Sequence, residues 1–152
     1  VSTQPALRSS PKAPTLPAPS IKIEIEVPAR RIADMMVGAI EGNHMTRAWC
    51  AGVYLRGAWE KKLNELGNWY DQEKIFGGQF TVEIIEILDE SKEAKGSNLK
   101  RHRCNQDDFA KGLALMAKNS PDHFGDMMAE NDDNITQDVF LQYVALGEIV
   151  YG

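Results

Sequence analysis

Apolar and polar side chains begin to alternate at residue 21. In IKIEIEV, Ile21, Ile23, Ile25 and Val27 alternate with Lys22, Glu24 and Glu26, the period of a strand with one buried face. Pro28 ends that strand and suits the first turn of a helix running to about Glu41, with Ile32, Met35, Met36, Ala39 and Ile40 inward and Arg30, Arg31 and Asp34 in water. Gly38 within it predicts close packing against a strand. After a loop at 42–46, AWCAGVYL (48–55) reads as a second strand with a bulge at Gly52. The excursion 57–78 predicts a short helix over 58–66, then sets Trp69, Tyr70 and Phe76 among polar residues. Long aromatic loops of this kind are binding elements or satellite packing. QFTVEIIEIL (79–88) is the strongest β signal, and LKRHRC (99–104) pairs back on it as a hairpin.

Helical spacing governs the rest. Asn105 caps a helix with Asp108 near its third position and Phe109, Leu113, Met116 and Ala117 inward. Ser120 caps the next, which starts at Pro121, carries Phe124, Met127 and Met128 on one face and stops by Asn131. Thr136 caps the last, where Val139, Phe140, Tyr143, Val144 and Leu146 repeat before Gly147 stops it. GEIVYG (147–152) closes the sequence as a strand-like end. The expectation is an α+β domain over 21–152: an antiparallel sheet of about four strands with about four helices packed on one side. Residues 1–20, Pro-rich and without apolar period, read as a disordered tail, with a proline-motif ligand as the functional alternative.

Composition narrows the classes. At 152 residues one domain is expected, and a net charge of −5 argues against general nucleic-acid binding. No apolar run approaches the ~20 residues of a membrane span, so no membrane partner is expected. Cys50 and Cys104, with no secretory leader pattern, predict reduced thiols in a cytoplasm.

Glu130, Asp132, Asp133 and Asp138 invite a calcium reading. Aligned on an EF-hand loop from Asn131, Thr136 takes the Gly position and Gln142 the closing Glu, so a solvated turn is the better reading. His102 and Cys104 share a strand face, with His44, Cys50 and His123 elsewhere, but no CxxC or HExxH spacing exists, and neither metal nor cofactor is expected. There is no GxSxG elbow, Cys50 sits in an apolar strand, and an Asp133/Asp138 pair is geometrically possible without further support, so no catalytic residue is assigned. What remains is an inventory: Arg47, Arg56, Lys100, Arg101 and Arg103 beside Trp49, Trp59, Trp69, Tyr70 and Phe76. It suits a nucleotide, through guanidinium–phosphate forks and base stacking. It equally suits arginines solvating strand faces and aromatics filling a core.

The segments IADMMVGAIEG (32–42), GLALMA (112–117), PDHFGDMMAENDDNITQDVFLQ (121–142) and GEIVYG (147–152) resemble a family of small phage and prophage proteins, over most of 21–152. That family is similar to the first family of phage anti-Thoeris proteins. The resemblance implies a non-enzymatic sponge that binds a cyclic ADP-ribose signal of bacterial TIR-domain defence, with cyclic oligonucleotides held by related members. It also implies a homo-oligomer, a dimer or assembly of dimers, with ligand pockets at subunit edges, in the cytoplasm of the bacterial host. Carried over, Asn105 and Asp133 become polar ligand contacts and Phe76 a base-stacking ring, and Arg47, Arg101 and Arg103 join them from the inventory. Two departures stand out: Asp122 occupies a position that is basic in the family pattern, and EGNHMTRAW (41–49) departs from its EGG, with Arg47 nearby. The rivals are a phage structural or adaptor protein that meets a protein partner, and an enzyme hydrolysing a nucleotide.

Overall fold

The computed structural model describes residues 16–56, 61–66 and 73–152. Its helices are α1 (Ala29–Ile40), α2 (His44–Arg47), α3 (Glu73–Phe76), α4 (Gln106–Asn119), α5 (Pro121–Met128) and α6 (Asn134–Leu146), and its strands are β1 (Cys50–Leu55), β2 (Thr81–Ile87) and β3 (Leu99–Asn105). The α+β class and the antiparallel sheet stand. The counts differ, at three strands and six helices among the described residues.

The sheet is a meander of order β1-β2-β3. Its register sets Val53 opposite Ile84 and Val82 opposite Cys104, and the extra residue between Cys50 and Gly52 is the expected bulge. Because side chains alternate across a strand, Val82, Ile84 and Cys104 share the face turned to the helices, where Cys104 Sγ lies 3.6 Å from the Val144 carbonyl. The core joins these residues to Met35, Met36, Trp49, Phe109, Met116, Met127, Phe140 and Leu141.

The strand expected at 21–27 is not formed. The segment has no regular secondary structure and no strand pairing, and Ile21, Ile23 and Ile25 are exposed. Alternation specifies a strand only where a sheet edge receives it, and here the segment lines a cavity shared with α4 instead. The closing residues 148–152 likewise form no strand; Gln142 holds them, its Oε1 accepting from Val150 and Tyr151 N–H at 2.8 Å and its Nε2 donating to the Tyr151 carbonyl at 2.8 Å.

Caps and contacts refine the helices. Asn105 and Asp108 form the expected capping box, while α6 is capped by Asp133 rather than Thr136, and Gly147 ends it at φ 79°. Ser120 does not cap α5 through its side chain; its hydroxyl meets Tyr143 Oη at 2.7 Å. Arg31, expected in water, is buried and pairs with Asp132 (2.8 Å), Asp34 (3.1 Å) and Glu130 (3.6 Å). The acidic turn is thereby docked on α1. Gly38 packs against the Gln137 side chain of α6, not against a strand. Of the predicted helix at 58–66, the described part contains a 3-10 turn at Leu63–Glu65; Trp59, Trp69, Tyr70 and residues 1–15 lie outside the described residues.

Candidate functional site

Two polar assemblies are built on the sheet, one buried and one open. The buried one starts at Asp138, which accepts from Thr46 Oγ1, Trp49 Nε1 and Gln142 Nε2, each at 2.8 Å. Trp49 stacks on Tyr151 at 5.6 Å between centroids. Tyr151 donates to Glu86, whose other oxygen meets His102 Nε2 at 2.8 Å. Burial pushes the Glu86 carboxyl up, but the hydrogen bonds from Tyr151 and His102 outweigh it and the net displacement is downward. Burial, reinforced by Glu86, takes the Tyr151 phenol up to about 12. Asp138, Gln142 and Tyr151 thereby tie the C-terminal residues to the sheet.

The open assembly lies on the opposite sheet face. Glu83 is 5 % exposed and gathers three guanidinium groups: Arg101 at 3.3 Å, Arg103 at 3.4 Å and Arg56 at 3.8 Å. Arg101 and Arg103 are two apart on β3 and so share this face. Their side chains remain 60 % and 61 % exposed. Arg101 and Arg103 thus present two largely exposed guanidinium groups on this face of a chain whose net charge is −5. At the same end of the sheet, a cleft of about 690 Å³ is lined by Arg56, Lys74, Gln79, Phe80, Thr81 and Asn105. That volume lies in the range of small-ligand pockets, roughly 300–1,000 Å³.

The structure brings together only part of the expected site. Arg101 and Arg103 are on the open face and Asn105 lines the cleft, although its side-chain oxygen is engaged at 3.0 Å by the Asp108 N–H. Arg47 is exposed at the end of α2. Asp133 is exposed at the start of α6, where the Thr136 backbone N–H holds its carboxyl below the ordinary range. Phe76 is buried, edge-on to Phe80 at 5.0 Å, in the core rather than on the open face. Asp122 is exposed on α5. Glu83 was not foreseen; the signal was a charge inside the apolar run TVEIIEI, which a buried strand tolerates only when paired.

Among the described residues no cluster of histidine, cysteine and carboxylate groups could hold a metal ion. Burial raises the Cys50 thiol to about 11 and the Cys104 thiol to about 12, so neither is an activated nucleophile. No described helix is long and apolar enough to cross a membrane. The site thus belongs to an α+β domain that presents Arg101 and Arg103 on an open sheet face. Comparison of the chain with protein families, curated proteins and solved structures finds no match.

Proposed function

We propose that the chain is a phage anti-defence protein that sequesters a cyclic nucleotide signal, a cyclic ADP-ribose isomer or a cyclic oligonucleotide, without cleaving it, as a homo-oligomer in the cytoplasm of a bacterial host. The observation that carries the reading is the gathering of Arg56, Arg101 and Arg103 on Glu83 beside a ligand-sized cleft. Guanidinium forks pair with phosphates, and a buried carboxylate that aligns them in advance lowers the ordering cost of binding. Lys74 and Asn105 at the cleft add a cation and a polar edge. The sequence resemblance names the ligand class.

Calorimetry of cyclic ADP-ribose isomers and cyclic oligoadenylates on the full chain tests this, followed by heat release and mass spectrometry. The expected result is salt-sensitive binding with the ligand recovered intact, weakened tenfold or more in Arg56→Ala/Arg103→Ala, since each charge-assisted hydrogen bond contributes roughly 1.5–3 kcal/mol. A chemically altered ligand points to an enzyme, and no binding by any of these compounds overturns the proposal.

A further inference from the structure

The segment Ile21–Val27 and the free edge of β3 are complementary. Among the described residues β3 pairs only with β2, so half of its backbone N–H and C=O groups point outward, an edge open to another strand. Beside that edge runs a groove of about 360 Å³, bounded by Arg101 and Arg103 on the strand and on the helices by Leu115, Val144 and Ala145 with Asp108 and Lys111 at its margin. The 21–27 segment has strand periodicity but no strand partner, and Ile21 and Ile23 are 82 % and 70 % exposed. The segment lines a different cavity, with Ala110, Leu113 and Ala117 of α4, and none of its residues lines the groove, which is left for a second molecule's segment.

We infer that the chain self-associates by strand exchange, Ile21–Val27 of one copy adding antiparallel to β3 of another. In the register that sets Glu24 opposite Arg103 and Glu26 opposite Arg101, both acidic side chains fall on the face of these arginines. Ile23 and Ile25 then fall opposite Cys104 and His102, on the helix side, over Leu115, Val144 and Ala145. One offset thus satisfies charge, apolar burial and backbone at once; slipping it by one residue sets isoleucine against arginine throughout. The inference does not rest on the nucleotide reading, though it uses two of the same arginines, so exchange and anion binding compete.

The test is the mass of the full chain in solution by sedimentation or light scattering across micromolar concentrations. A dimer or higher assembly is expected. Ile23→Pro, in a segment outside the folded sheet, should release it to monomer with unchanged circular dichroism. Arg101→Glu/Arg103→Glu should weaken association tenfold or more, and adding Glu24→Lys/Glu26→Lys should restore it. A monomeric chain at all concentrations overturns the inference. So does an assembly indifferent to Ile23→Pro and to the charge exchange, whatever the ligand titrations give.

Discussion

Asp138 is the residue on which most of the interior polarity converges. It receives Thr46, Trp49 and Gln142 at once, and its removal leaves the buried Thr46 hydroxyl and Trp49 indole N–H with no acceptor, while Gln142 Nε2 keeps only the Tyr151 carbonyl. Asp138→Ala is therefore expected to lower unfolding stability by about 3 kcal/mol or more, read as a reduced midpoint in urea. Glu86 gives a pH dependence. Its folded carboxyl sits below the ordinary range, so its contribution is present above the unfolded value of about 4.3 and is lost as pH falls through the folded one. Urea midpoints measured from pH 7 to pH 3 should fall less steeply for Glu86→Gln than for the parent, with Asp89 and Asp133, also lowered, retaining part of the slope. Local chemistry was legible at this scale where both partners are close in sequence, as in the box of Asn105 and Asp108. Arg31 was not, because Asp132, the partner that draws it out of water, is 101 residues away.

Among the elements, two helical glycines are expected to differ in their tolerance of a side chain. A Cβ at Gly112 would stand 2.7 Å from the Tyr143 carbonyl oxygen and 2.7 Å from Val144 Cα. These are backbone atoms of α6 that cannot turn aside. Gly112→Ala should destabilise by about 1–3 kcal/mol, more than the roughly 1 kcal/mol that alanine returns in helix propensity. At Gly38 the obstacle is the far end of Gln137, which can swing away, so Gly38→Ala should shift thermal unfolding little in either direction. Comparing the two melting temperatures checks both. Gly38 shows how periodicity locates a close approach without naming its partner. The same limit explains residues 21–27: alternation is a property of the segment, whereas pairing belongs to an edge elsewhere in the chain.

On the scale of the molecule, the hairpin of β2 and β3 and the three C-terminal helices were legible because each carries its own period and stops, whereas the pairing of β1 with β2 was not. The grouping of the arginines was not, since it depends on the register that sets Glu83 opposite Arg103 and on the approach of Arg56 across the sheet. Neither distance is written in spacing along the chain. The Glu83 assembly also has a consequence for evolution of the face. One carboxylate holds together three groups that would otherwise repel, and any incoming anion must share guanidinium donors with it. Were the face to capture an anion as proposed, tighter capture would loosen the sheet that presents the arginines, and a neutral residue at Glu83 would favour grip at the expense of rigidity.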